Sequence, residues 1–254
     1  MPQITASIAT LPRRISQLKQ TLASISPQVD RINIYFDGHA ESAINELVPY
    51  VDTHFMRAAH DTQRRGDAGK FYWAHQIKGY HFTCDDDLVY PPDYVETMIA
   101  AIERHERRVI VGVLGSRFTA FPIGYYCSRA GHLGLLAANS CDQLVHILGT
   151  GTVAYHTDTL EVNLSHFPRV NMSDAQLAIR AKRRGVSMVS IKRPKDWLQA
   201  LVVAGASIFG EFKRTRNDDV KTALIQAEAP WPTLPPIDGS HEQPRISRRR
   251  TAPS

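Results

Sequence analysis

Short apolar runs alternate with amphipathic stretches along the first 115 residues. Ile4-Thr-Ala-Ser-Ile-Ala9 is a compact apolar run stopped by Thr10-Leu11-Pro12, and reads as a strand. Ile15, Leu18, Leu22 and Ile25 then recur at helical spacing among Arg, Lys and Gln, which predicts a helix. Arg31–Phe36 alternates apolar with polar and ends in Asp37-Gly38, a strand closed by a turn. Residues 41–50 are weakly helical, and His54-Phe-Met56 reads as a third short strand. A basic glycine-containing loop, Arg64-Arg-Gly-Asp-Ala-Gly-Lys70, runs into Phe71-Tyr-Trp-Ala-His75, read as helical. Gly79-Tyr-His-Phe-Thr-Cys84 leads to Asp85-Asp86-Asp87. Pro91-Pro92-Asp93 then opens a helix with Val95, Met98, Ile99 and Ile102 on one face. Val109–Leu114 is apolar enough for a strand buried on both sides.

This alternation predicts an α/β fold with a mostly parallel central sheet and helices on both faces. Ligands of such sheets bind beyond the carboxyl ends of the strands. Thr10, Asp37 and Asp85–Asp87 each follow a predicted strand. Residues 116–145 mix aromatic and small residues, and read as insertions or short antiparallel strands. Leu148–Tyr155 is a Gly-Thr strand or loop without the third glycine or following helix of a dinucleotide fingerprint. Asn171–Gly185 reads as a helix opened by a Ser173/Gln176 capping box and closed by Gly185. Val186–Ile191 is a strand, and Asp218–Gln226 a further helix.

Composition narrows the setting. Cys84, Cys127 and Cys141 are well separated, with no CxxC pair, which argues for a reducing compartment and against zinc or a disulfide framework. The N-terminus lacks a basic region followed by an apolar one, and no uninterrupted apolar run reaches spanning length, so a soluble cytoplasmic protein is expected. The net charge of +5 is concentrated in residues 241–254, where Arg245, Arg248, Arg249 and Arg250 face only Glu242. That tail is short and no nucleic-acid motif accompanies it, so nucleic acid is not an expected partner.

Three adjacent carboxylates raise one another's pKa unless something positive sits among them. At a strand end, Asp85–Asp87 therefore suggests a hard divalent cation, Mg²⁺ or Mn²⁺, shared with substrate phosphates. Asp37 is either an acceptor for a base or ribose or a turn-forming Asp-Gly. Lys70 could pair with phosphates or orient Asp67, but its loop lacks Walker spacing. Asp174, in the first turn of its helix, either complements the macrodipole or serves as a general base.

Taken in order, Ser7–Arg14, Asp37, Gly66–Lys70, Asp85-Asp-Asp-Leu-Val-Tyr-Pro-Pro92, Gly149-Thr-Gly151 and Asn171-Met-Ser-Asp174 resemble the family-2-like nucleotide-sugar glycosyltransferases of the GT-A fold, including bacterial polysaccharide enzymes. The resemblance covers about residues 4–200. It implies a nucleotide- and metal-binding motif at Asp85–Asp87, with Asp87, assisted by Asp85, on the metal and Asp85 or Asp86 on the ribose or sugar. It further implies a nucleotide loop at Thr10, Pro12 and Arg14, base recognition (commonly of uracil) by Asp37, a nucleotide pocket at Asp67 and Lys70, and a catalytic base at Asp174. The family's inverting members usually carry Glu-Asp where this chain has Ser173-Asp174, and the strand-end position of Leu114 is often polar in them.

The implied organisation is a GT-A-like domain over residues 1–210, a helical extension over 211–236 and a disordered basic tail over 237–254. The implied activity is inverting transfer from a UDP-sugar to a glycan or lipid-linked acceptor in surface-polysaccharide synthesis, with the tail available for peripheral contact with the inner membrane face. Two rivals stand beside it. One is a sugar-nucleotide nucleotidyltransferase, for which Thr10–Arg14 is a poor phosphate loop. The other is a non-catalytic binding module that works through the tail.

Overall fold

The computed structural model describes residues 2–39, 42, 56–61, 63–119, 123–203, 215 and 218–235. The weak helix expected over 41–50, the start of the third strand at 54–55 and the tail beyond 237 lie outside the described residues.

Strand β1 (Ile4–Thr10) passes through a 3₁₀ turn at Pro12–Arg14 into helix α1 (Ile15–Ile25), which buries Leu18, Leu22 and Ile25. Strands β2 (Arg31–Asp37) and β3 (Met56–Asp61) follow, then β4 (Tyr80–Cys84) and the short β5 (Leu88–Val89). Helix α2 (Tyr94–Arg104) leads to β6 (Val109–Gly112). The 116–145 region contains β7 (Gly115–Phe118), β8 (Arg129–Leu133) and β9 (Gln143–Val145), followed by β10 (Ile147–Leu148) and β11 (Thr152–His156). Helix α3 (Ser173–Arg184), β12 (Ser187–Ser190), β13 (Gln199–Ala200) and α4 (Asp219–Gln226) complete the described chain.

Eight strands form the central sheet in the order β3-β2-β1-β4-β11-β6-β12-β9. The β1–β2, β2–β3, β1–β4 and β6–β12 pairs are parallel. Strand β11 enters antiparallel between β4 and β6, and β9 closes the edge antiparallel to β12. The fold is α/β with a mostly parallel sheet. The expected antiparallel region also forms, as the small sheet β10-β7-β8.

Alternate strand residues feed two apolar layers, as the period of two requires. Ile8, Ile34, Phe82, Val111 and Val189 pack with α1 and α2. Ile110, Val153, Tyr155 and Met188 pack with α3, Ile225 of α4 and Trp231.

Two helix expectations are corrected. Residues 66–76 form two 3₁₀ turns, Gly66–Phe71 and Ala74–Gln76, rather than an α-helix through the aromatic run. The turn lies hard against β2: a Cβ on Gly69 would sit 2.2 Å from the Tyr35 ring, while Phe71 stacks on Phe167 at 3.9 Å between centroids. The prolines at 91 and 92 precede the first turn of α2, and the acid in that turn is Glu96. Asp93 instead accepts the indole N–H of Trp197 at 3.0 Å.

One buried seam is polar. His81 joins the Tyr155 hydroxyl at 2.7 Å to the Ser7 hydroxyl at 2.9 Å, and all three groups are buried. Burial pushes His81 down to about 3, so the ring stays neutral in the folded state. The unfolded chain takes up this proton near the ordinary ~6.5. The histidine's contribution is therefore complete above that value and lost progressively as pH falls toward about 3. Between about pH 7 and pH 4 the urea midpoint of His81→Gln should fall less than that of the parent. Equal falls would show that other groups carry the acid sensitivity.

Candidate functional site

Because β1, β2 and β4 run parallel, their carboxyl ends share one edge of the sheet. Thr10 ends β1, Asp37 ends β2, and Asp85 follows β4 directly. The Asp-Gly turn at residue 37 is real, with Gly38 at φ +74°. Asp37 is nevertheless more than a turn former. It is buried, its Oδ2 accepts the Gly66 N–H at 3.2 Å, and its Oδ1 is buried without a hydrogen-bond partner.

The three-aspartate cluster contains its own cations. Arg14 Nη1 lies 2.6 Å from Asp86 Oδ1 and 3.1 Å from Asp87 Oδ2, and the Lys70 ammonium contacts Asp85 Oδ1. Arg14 and Lys70 are thus turned onto the acidic cluster. Burial raises Asp86, against the opposing charge of Arg14. The Thr10 hydroxyl lies beside that carboxyl and also opposes the shift, yet neither Thr10 Oγ1 nor Asp86 Oδ2 completes a hydrogen bond. Asp87 is pushed up to about 6 by burial and by its like-charged neighbours, first Asp85. Burial would lower Lys70, but Asp85, and beyond it Asp67 and Asp174, outweigh burial and raise it.

Asp174 reaches the same place from α3. Its Oδ1 accepts from the Thr150 N–H at 2.8 Å and the Thr150 hydroxyl at 2.7 Å. The expected Ser173/Gln176 capping box does not form. Ser173 is the first helical residue, and the start of the helix is held by Asp67 Oδ2, which accepts the Ser173 N–H at 3.0 Å and is hydrogen-bonded with the Ser173 hydroxyl. Gln176 bonds the backbone of Arg169 instead. A side chain from a distant loop thus satisfies a free helix N–H. At the other end Gly185 adopts φ +67°, the left-handed cap expected there.

A cavity of about 170 Å³ gathers Asp67, Lys70, Asp85, Thr150 and Asp174. Its apolar wall includes Leu88, Leu114 and Leu135. Gly151 is required where the cavity meets the cluster, since a Cβ there would sit 1.9 Å from Asp85 Oδ2. Tyr90 fixes this junction by accepting the Asp85 N–H at 2.9 Å and donating to Gly151 O at 2.6 Å. A larger open groove of about 940 Å³ runs along α2, but none of the strand-end residues lines it. The one aspartate in that groove, Asp142, is already engaged by Arg104, His105 and the Lys192 N–H.

No protein-family model matches the chain, and a comparison with curated proteins found no match. What the site can do therefore follows from its geometry.

Sequence reasoning missed Thr150, Ser173 and Tyr90 as members of the site. Hydroxyls carry no distinctive spacing, and only the fold brings residues 150 and 173 together. Among the described residues no trio of His, Cys, Asp and Glu is set to cage an ion. A Mg²⁺-type ion that keeps its waters and shares substrate phosphates needs only one or two carboxylates. Asp85 and Asp87 fit that lesser demand: both are partly exposed, and their cluster sets three carboxylates against two cations.

Proposed function

We propose that the chain is a nucleotide-sugar glycosyltransferase of the GT-A type, and that the cavity between Asp85 and Asp174 is where the sugar is transferred. The observation that carries this reading is that one cavity gathers Asp67, Lys70, Asp85 and Asp174 from three separate segments. Asp37, with a buried unpartnered oxygen at the neighbouring strand end, offers an acceptor to a base N–H such as that of uracil. Asp87, assisted by Asp85, would hold Mg²⁺ or Mn²⁺, which when bound supplies positive charge to a leaving diphosphate.

The chain's own residues do the rest. Arg14 holds Asp86 and Asp87, while Lys70 and Tyr90 hold Asp85, so the acidic edge is rigid before any ligand arrives. Thr150 orients Asp174 through two hydrogen bonds on a single oxygen. Asp174 takes the proton of the acceptor hydroxyl as that oxygen bonds to the anomeric carbon, and the nucleoside diphosphate departs with the electron pair of the broken bond. Attack from the face opposite the leaving group inverts the anomeric centre. The acceptor in this reading is a glycan or lipid-linked sugar; the arginine tail that would meet a membrane surface lies outside the described residues. Among the described residues no helix is long and apolar enough to cross a membrane.

The test combines binding with product identity. With Mn²⁺, a uridine diphosphate at about one hundred times its Kd should stabilise the fold by about 2.7 kcal/mol. Incubation with a UDP-sugar should release the nucleoside diphosphate. Release of pyrophosphate from a sugar phosphate and UTP would replace this reading with nucleotidyl transfer.

A further inference from the structure

Four side chains at the cavity form one hydrogen-bonded row. Asp67 Oδ2 contacts the Ser173 hydroxyl, Ser173 Oγ lies 2.9 Å from Thr150 Oγ1, and Thr150 Oγ1 lies 2.7 Å from Asp174 Oδ1. Ser173 and Thr150 are buried, at 0% and 2% exposure, so water does not intervene. Each of the three oxygen–oxygen contacts needs a hydrogen, and each hydroxyl supplies one. Two ionised carboxylates supply none. With both aspartates charged, one contact would set two lone pairs against each other.

We infer that Asp67, Ser173, Thr150 and Asp174 form a proton wire holding one hydrogen beyond those of its two hydroxyls, carried on Asp67 so that Asp174 stays ionised. Asp67 then donates to Ser173, Ser173 to Thr150, and Thr150 to Asp174. A shift of all three hydrogens along the row would move the acid proton from Asp67 to Asp174, leaving Asp67 ionised and the total unchanged.

A second feature agrees with this arrangement. Asp67 Oδ1 is buried with no hydrogen-bond partner. That is expensive for an ionised carboxylate oxygen and much less so for the carbonyl of a neutral acid. Among the described residues, the charges that act most strongly on Asp67 are those of Asp174 and Lys70. Burial, and after it the charge of Asp174, favours the neutral form and outweighs the Ser173 hydroxyl, Lys70 and the Ser173 N–H, which oppose it; the direct contact of Lys70 is with Asp85.

Asp67 is in this view a positioning residue acting through two hydroxyls. It makes the cavity one negative charge poorer than the carboxylate count suggests, and it keeps Asp174 free to accept the acceptor proton. The inference rests on the transfer reading only for the purpose of Asp174; the position of the proton is independent of it.

Infrared difference spectroscopy of the whole chain without substrate tests the wire. At about pH 6, roughly two units above the ordinary aspartate value, a protonated-carboxyl C=O component distinct from that of Asp87, which still holds part of its proton there, should be present and should vanish in Asp67→Asn. Thr150→Val removes a hydroxyl and two of the three contacts, so the extra hydrogen is no longer needed. Its band should titrate away at lower pH than in the parent, whereas Thr150→Ser should keep the parent behaviour. Ser173→Ala breaks the row at its other hydroxyl, and loss of the band there gives the same answer should the valine variant fail to fold. Absence of any band removable by Asp67→Asn overturns the inference. So does a band unmoved in a folded Thr150→Val protein, because burial alone would then hold the proton. A missing band leaves sugar transfer standing, while a band without transfer by the parent chain sinks only the transfer reading.

Discussion

Replacing Asp174 with Asn should cut sugar transfer about 10²–10⁴-fold while leaving nucleotide binding within about threefold, as removal of a general base does. The substitution is close to isosteric. Asn Oδ1 can still accept the Thr150 N–H and hydroxyl at the positions where Asp174 Oδ1 does, at 2.8 and 2.7 Å, so the start of α3 keeps its shape. What is lost is the capacity to take a proton. Single-turnover transfer and equilibrium nucleotide titration on the same preparation separate the two effects. A variant that transfers at the parental rate would remove Asp174 from the reaction, and one that loses nucleotide binding as well would make it a structural support.

Arg14→Ala should destabilise the chain by about 3 kcal/mol, the low end of the ~3–5 kcal/mol for breaking a buried ion pair. The low end applies because the Arg14 side chain keeps 18% exposure, whereas that of Asp86 keeps only 3%. The loss should also depend on pH in a definite direction. Burial already raises Asp86 with Arg14 in place, and removing the guanidinium raises it further. A carboxyl whose folded pKa lies above its unfolded value gives up stability as pH rises through the folded value. The deficit of Arg14→Ala relative to the parent should thus be small near about pH 4 and grow toward neutrality. Urea midpoints at several pH values measure it. A deficit that did not change with pH would assign the loss to packing of the arginine stem.

The part of the fold legible in the sequence was the part governed by local pattern. Apolar runs marked β1, β2, β4, β6 and β12, and the spacing of Leu18, Leu22 and Ile25 marked the buried face of α1. Gly185 announced the end of α3 because few other residues accept a positive φ. The alignment of Thr10, Asp37 and Asp85 on one edge followed from strand succession alone, since parallel strands must end on the same side. Decisions made by tertiary contact were not legible. The direction of β11 is set by its neighbours β4 and β6, and a Gly-Thr run reads the same in either sense. The cap on α3 was assigned to Ser173 by local rule, but Asp67, more than a hundred positions away, competes for the same N–H and wins. That Arg14 and Lys70 fold onto the acidic cluster is likewise a matter of tertiary contact, since nothing in the spacing reveals it.

The placement of β11 has a consequence for how the chain is made. Strands β4 and β6 are both synthesised before it, yet neither pairs with the other, because β11 occupies the space between them. A nascent chain that has emerged only as far as β6 therefore carries the partial sheet β3-β2-β1-β4 with an open inner edge and β6 as a strand whose sheet neighbours are not yet made, each a template for wrong pairing. Only when Thr152–His156 leaves the ribosome can β6 be joined to that partial sheet, and the Gly151 turn against Asp85 is made in the same event. Truncation before residue 152 should leave a sticky fragment, with the acidic edge formed on the β3-β2-β1-β4 part of the sheet and no α3 wall facing it.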